Sequence, residues 1–113
     1  MENCSYKCIP EDNELVKLID KLITSAEDTG EWIIASTVDQ RPQVVFYDEY
    51  YNRIADAICS PYSYGGEQGL IEVMGEPLCC VEDEEVEGWL TADAVFNRWM
   101  NWLKEKKVKS LEA

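Results

Sequence analysis

Apolar residues recur every three or four positions between Asp12 and Ala26, a spacing that gathers side chains on one face of a helix. The apolar positions are Leu15, Val16, Leu18, Ile19, Leu22, Ile23 and Ala26. Asp12 or Asn13 can cap the start of this helix, because both residue types accept hydrogen bonds from free backbone amides. Residues 28–30, which include a glycine, are predicted to end it.

The pattern then changes to β-rich runs. Residues 31–38 and 43–48 are both rich in branched and aromatic side chains, and the turn-forming residues 39–42 lie between them. This arrangement predicts a β-hairpin. Residues 53–59 predict a short third strand, which two alanines weaken. Residues 69–74 are expected to form one or two helical turns closed by Gly75.

The last element is a helix with Thr91 at the N-cap position and Asp93 in the first turn. Its broad apolar face consists of Val95, Phe96, Trp99, Met100, Trp102 and Leu103. This face predicts either a buried terminal helix or a homodimer that covers its surplus apolar surface.

Together these elements predict a single α+β domain over residues 1–113. The expected two-layer fold has an N-terminal helix, a β-hairpin plus a short third strand, and a long C-terminal helix. The hydrophobic fraction of 46% is too high for a disordered acidic tail.

Charge is the feature that most restricts function. The chain has 23 Asp and Glu against 10 Lys and Arg, which gives a net charge of -13. From Arg98 onward there are five basic and two acidic residues, so residues 1–97 hold 21 acids and five bases. A negative field of this size repels nucleic acids and anionic membranes and attracts basic partners.

The densest acidic run has five carboxylates within residues 82–87, namely Glu82, Asp83, Glu84, Glu85 and Glu87. An EF-hand alignment that starts at Asp83 places Ala94 where the bidentate glutamate is required, so specific calcium binding is not predicted. Two interpretations stay open, a solvated loop and a patch that meets a basic partner, with help from Asp48 and Glu49.

The chain contains no histidine, so the commonest general base and metal ligand is absent. No pair of carboxylates stands out as catalytic, and a non-enzymatic protein is predicted. Of the five cysteines, Cys4 and Cys8 could join Cys79 and Cys80 in a four-thiolate zinc site, but Cys79 and Cys80 are adjacent, which is awkward for tetrahedral ligation. Reduced, inert cysteines are expected, with no metal and no cofactor.

The segment around residues 62–70 offers an alternative small-ligand or enzyme site, for which the candidate residues are Tyr62, Tyr64, Gly65, Gly66 and Glu67. Phosphate is a poor ligand for it, because no basic residue lies between Arg53 and Arg98. The glycines also fit turns and close packing.

Two stretches, residues 62–75 (YSYGGEQGLIEVMG) and residues 86–96 (VEGWLTADAVF), resemble small acidic proteins carried by phages and mobile elements of Gram-positive bacteria. The resemblance covers about the C-terminal half and implies no catalytic residue. It implies a counter-defence role, by analogy with anti-CRISPR and anti-restriction proteins that act as decoys in a DNA-binding groove.

The sequence therefore predicts a binding protein that inhibits a basic, nucleic-acid-binding host protein by DNA mimicry, without direct contact to nucleic acid or membrane. The predicted partner-binding residues are Asp48, Glu49, Glu82, Asp83, Glu84, Glu85 and Glu87. The alternatives are the small-ligand site above and a structural or assembly protein whose acidity only keeps it soluble. No apolar run approaches the roughly 20 residues of a membrane span and no basic-then-apolar leader is evident, so a cytoplasmic location is expected.

Overall fold

The computed structural model describes residues 11–36, 42–82 and 84–112, with the side chains of residues 11–35, 42–82 and 84–106. The elements are α1 (Glu14–Thr24), β1 (Trp32–Ser36), β2 (Pro42–Tyr47), β3 (Arg53–Ile58), a 3-10 turn (Gly66–Gln68), β4 (Ile71–Met74), β5 (Val86–Leu90) and α2 (Ala92–Glu112).

The five strands form one antiparallel meander in the order β1-β2-β3-β4-β5. Alternate residues of the central strands, such as Phe46, Ala57 and Val73, are buried together with Leu18 of α1 and Trp99 of α2. Both helices therefore cover the same face of the sheet, and the ring centroids of Phe46 and Trp99 lie 4.7 Å apart. The two-layer α+β fold expected from the sequence is confirmed.

The helix starts follow the predicted capping. The Val16 amide donates to the Asn13 side chain at 3.1 Å, and the Ala94 amide donates to the Thr91 hydroxyl at 3.2 Å. Glu14 adds a contact between the two helices, because its carboxylate accepts from the Ala92 amide at 2.8 Å. Amide donation lowers the pKa of Glu14 and satisfies one of the free amides at the start of α2.

The structure differs from two of the sequence expectations. Residues 69–74 were expected to be helical, but Ile71–Met74 form strand β4, since Ile71 and Val73 alternate into the core. Residues 86–90 were not expected to be a strand, yet they form β5 at the edge of the sheet. The sheet therefore extends two strands beyond the hairpin and third strand that the sequence predicted.

The meander determines which connections are neighbours. Antiparallel strands alternate in direction, so the β2–β3 and β4–β5 connections lie at one end of the sheet and the β3–β4 connection lies at the other. With neighbouring strands about 4.8 Å apart, the first two connections are separated by about two strand spacings, or roughly 10 Å.

None of the helices in the described ranges combines the length and apolar character that a membrane-spanning helix requires.

Candidate functional site

Acidic residues gather at the end of the sheet that carries the β2–β3 and β4–β5 connections. We call this set the acidic end, and it consists of Glu31, Asp48, Glu49, Glu76, Glu82, Glu84 and Glu85. All of these side chains are exposed except that of Asp48, which is half-buried. The sequence predicted five of them as partner-binding residues, and all five belong to the two connections that leave this end of the sheet.

The β4–β5 connection forms the more strongly acidic half. Glu76, Glu84 and Glu85 line a concavity of about 500 Å³, and the other lining residues are Met74, Gly75 and Cys79. The Met74 side chain is 44% exposed and provides an apolar surface among the carboxylates. None of these lining residues is basic, so the concavity is strongly negative.

The β2–β3 connection forms the other half, around a concavity of about 250 Å³. Glu31, Asp48 and Glu49 contribute to its lining, together with Trp102 and Lys106 of α2. Here Lys106 offsets part of the negative charge. This half is therefore less negative than the β4–β5 half.

Asp48 also organises its own turn. Its carboxylate accepts from the amides of Tyr50 and Asn52, each at 2.9 Å, and from the Asn52 side chain at 3.2 Å. The Asn52 amide is the main cause of the lowered pKa of Asp48. Asp48 therefore stays ionised, but much of its hydrogen-bonding capacity is already used within the turn.

Glu87 has a partner within the chain. Its two carboxylate oxygens accept from the two terminal nitrogens of Arg98 at 2.9 and 3.1 Å, and Oε1 also accepts from the Cys80 amide at 2.9 Å. Arg98 donates further to the Leu78 carbonyl at 2.7 Å. The guanidinium lowers the pKa of Glu87, and the carboxylate raises that of Arg98.

This pairing separates Glu87 from the rest of the predicted set. A binding partner would have to displace Arg98 to reach its carboxylate, whereas Glu82, Glu84 and Glu85 are exposed. Asp83, which was also predicted, lies outside the described residues. Glu76 was not predicted, because it stands apart from the acidic run in the sequence.

The described basic residues before Arg98 are already engaged, including Arg53, which begins β3 at the same end of the sheet as the acidic residues. In the described part of residues 1–97 the basic side chains are Lys17, Lys21 and Arg53, and each forms an ion pair with a carboxylate. Lys17 pairs with Glu14 at 2.9 Å and Lys21 pairs with Asp93 at 2.6 Å. Arg53 pairs with Asp56 in its own strand. None of these pairs involves a carboxylate of the acidic end.

The alternative site predicted around residues 62–70 lies at the opposite end of the sheet. Tyr62 and Tyr64 are exposed by 77% and 54%. Together with Glu67 and Gly65 they line a concavity of about 250 Å³. Gly66 is buried, and a Cβ there would come within 1.7 Å of the Ser60 carbonyl oxygen. Gly66 therefore closes the loop and does not line the concavity.

Sequence reasoning missed Trp89, which belongs to this second site. Its ring stacks on that of Tyr64 with the centroids 5.4 Å apart and the planes 12° apart, and it is 59% exposed. Its backbone has a φ of 57°, a left-handed conformation that is strained for a bulky residue. We call Tyr62, Tyr64 and Trp89 the aromatic corner.

The backbone fixes the aromatic corner. The Trp89 amide donates to the Tyr64 carbonyl at 3.1 Å, and the Tyr64 amide donates to a Glu72 carboxylate oxygen at 2.9 Å. A Cβ on Gly88 would lie 2.1 Å from the Tyr64 Cβ, so glycine is required for this approach. Gly88 was the one sequence signal, because a glycine inside a strand often marks a bulge or a close approach of another backbone.

The three cysteines that the structure describes do not form a metal site. Cys59 is buried, Cys79 is half-buried and Cys80 is exposed, and all three are free thiols. Cys4 and Cys8 lie outside the described residues. Within the described ranges, no group of three or more Cys, Asp or Glu side chains is arranged to hold a metal ion.

Comparison of the chain with protein-family models, with curated proteins and with solved structures gives no match.

Proposed function

We propose that this protein is a non-enzymatic inhibitor that binds a basic, nucleic-acid-binding protein through its acidic end. The observation that carries the proposal is the β4–β5 concavity, in which Glu76, Glu84 and Glu85 surround the exposed Met74 without a basic lining residue. The carboxylates stand in for the phosphates of DNA.

The chemistry of this concavity fits lysine and arginine side chains. Their charged heads would meet the carboxylates, while their aliphatic stems would lie against Met74. Lys and Arg that neutralise phosphates in a DNA complex can equally bind a patch of carboxylates. Such a complex should weaken as salt rises, because exposed charges are screened.

The charge distribution supports the same function. No lysine or arginine occurs between Arg53 and Arg98, so both sides of the β4–β5 concavity come from a stretch without basic residues. The resemblance to small acidic phage proteins adds a host defence protein as the candidate target. The charge supports the proposed class of target, and the resemblance supports the proposed defence role.

The test compares two variants with the same change in net charge. In the end variant, Glu49, Glu82, Glu84 and Glu85 are replaced by glutamine. In the control variant, four exposed acids around α1 become amides, through the changes Glu11→Gln, Asp20→Asn, Glu27→Gln and Asp28→Asn. Both variants should keep the circular dichroism spectrum of the wild type.

Each protein is immobilised and exposed to a bacterial lysate at low salt, and bound proteins are eluted with duplex DNA or with rising salt. The wild type and the control variant should retain basic DNA- or RNA-binding proteins that DNA displaces, and the end variant should not. A captured protein should also lose DNA binding when the wild type is added.

Equal retention by the end and control variants would show that net charge alone causes binding, and the proposal would be wrong. A stable homo-oligomer that retains no nucleic-acid-binding protein would instead favour a structural or assembly role.

A further inference from the structure

The aromatic corner is an exposed aromatic cluster whose geometry is fixed by backbone contacts. Trp89 and Tyr64 are stacked and more than half exposed, and Tyr62 lies beside them in the same concavity. A stacked pair contributes most to stability when it is buried. This pair is held at the surface by a strained Trp89 backbone and by Gly88 beneath Tyr64.

From this geometry we infer that the aromatic corner binds the guanidinium group of an arginine side chain from a partner protein. A planar guanidinium stacks on an indole or phenol face and is attracted by the negative face of the ring. The Tyr64–Trp89 stack covers one face of each ring, and the high exposure of both rings leaves area for a further planar group.

Charge complementarity selects a cation over a neutral or anionic ligand. Glu67 lines the concavity, and the carboxylate of Glu72 is hydrogen-bonded to the Tyr64 amide. The segments that build the corner, residues 60–72 and 86–90, contain no lysine or arginine. An arginine bound on Trp89 would therefore gain both the ring interaction and favourable electrostatics from these carboxylates.

This inference does not depend on the proposed function, because the corner lies at the opposite end of the sheet from the acidic end. The two sites can be tested separately. The aromatic corner can bind arginine even if the acidic end binds no partner. The acidic end can likewise bind a partner even if the aromatic corner binds no arginine.

The chain offers a closely matched control. Tyr51 is also an exposed aromatic residue with a left-handed backbone, with a φ of 64° and an exposure of 72%, but it lies at the acidic end. Trp89→Gly and Tyr51→Gly each remove one exposed ring and relieve one strained residue. Both variants should therefore fold, since glycine accepts this conformation freely.

The probe is a blocked Gly-Arg-Gly tripeptide, and the comparison peptide carries citrulline, which has a similar shape but no charge. The indole N–H signals of the four tryptophans are followed by NMR during titration, and Trp89 is assigned as the signal missing from Trp89→Gly. The arginine peptide should shift the Trp89 signal saturably, and citrulline should bind about fivefold more weakly.

Because Trp89→Gly lacks the indole signal, its response is followed on the backbone amide signals near Tyr64. Trp89→Gly should abolish the saturable response to the arginine peptide, and Tyr51→Gly should keep it. Tyr64→Ala gives a second test should Trp89→Gly fail to fold, and it should weaken the shift of Trp89. The inference would be overturned if the citrulline peptide bound as tightly as the arginine peptide, or if the arginine peptide did not shift the Trp89 signal. It would also be overturned if Trp89 responded to methyl glucoside, a neutral sugar, and not to the arginine peptide.

Discussion

The Glu87–Arg98 pair provides the sharpest test of how the acidic residues divide their roles. We predict that Glu87→Gln destabilises the fold without weakening partner binding. Glu85→Gln should instead weaken partner binding without destabilising the fold. Both residues belong to the same acidic run, but Glu85 is exposed and Glu87 is bound to Arg98 of α2. The pair therefore tests a structural role against a binding role.

The magnitude follows from the contacts. The Glu87 and Arg98 side chains are only 18% and 25% exposed, so water screens their interaction incompletely. Glutamine can keep one oxygen acceptor but turns an amide group toward Arg98, so one charge-assisted hydrogen bond is lost. Such a bond contributes roughly 1.5–3 kcal/mol, and we expect a loss of about 2 kcal/mol in the free energy of unfolding.

The pH dependence has a defined sign. Because Arg98 lowers the pKa of Glu87 in the folded state, the pair contributes stability above the ordinary glutamate pKa of about 4.3. This contribution is lost as the pH falls through the lowered pKa, where the folded state takes up the proton. The stability difference between wild type and Glu87→Gln should therefore be constant near neutrality and shrink in acid.

Urea unfolding at pH 7 and at a series of acidic pH values measures this difference. A double-mutant cycle with Arg98→Met should give a coupling energy of about 1–2 kcal/mol, since the two side chains touch. The reasoning is refuted if Glu87→Gln is as stable as the wild type at pH 7. A difference that persists unchanged through acid would also refute it, because the lost interaction would then not be ionic.

Two further changes test the loop and the core. Gly66→Ala should destabilise the protein by about 2–3 kcal/mol, because the added Cβ would overlap the Ser60 carbonyl, and thermal unfolding with Gly30→Ala as a comparison measures it. Gly30→Ala is strained by the φ of 71° at Gly30, which costs an alanine roughly 1–2 kcal/mol, but its Cβ would first meet the flexible Leu103 side chain. A smaller loss for Gly66→Ala than for Gly30→Ala would therefore contradict this reasoning. Thr29→Val should cost about 1–2 kcal/mol, because the Trp32 indole N–H loses the buried hydroxyl that it donates to at 2.9 Å. The exposed change Thr24→Val is its control, and equal melting temperatures for the two variants would show that the hydroxyl contributes nothing.

The sequence predicts the regular elements with strong local patterns. The α1 helix and its Asn13 cap follow from the apolar spacing and the capping preference, and the hairpin of β1 and β2 follows from two β-rich runs around a turn. Strand β4 was mistaken for helical turns because its run is only four residues long, and glycines on both sides fit either structure. Its burial depends on β3, β5 and the core, which local pattern does not reveal.

The candidate site, like the fold, could be predicted from the sequence only in part. Composition identified the acidic residues, but only the meander brings the two connections to one end of the sheet. The role of Glu87 depends on Arg98, which belongs to another element, and a local pattern cannot assign that contact. Trp89 was missed because its place in the aromatic corner depends on stacking with Tyr64 and on its backbone conformation.

The placement of the charges gives a physical reason to treat the acidic end as functional. Carboxylates that repel one another destabilise a compact state, and the described basic residues before Arg98 each pair with acids outside this end. Glu84 and Glu85 thus share a concavity with Glu76 that has no basic lining residue, and Arg53, which lines the adjoining concavity, is paired with Asp56. A basic partner would supply the missing countercharge, so binding should relieve repulsion that the free protein retains. The end variant should therefore be at least as stable as the control variant, while losing the partner that the control variant keeps.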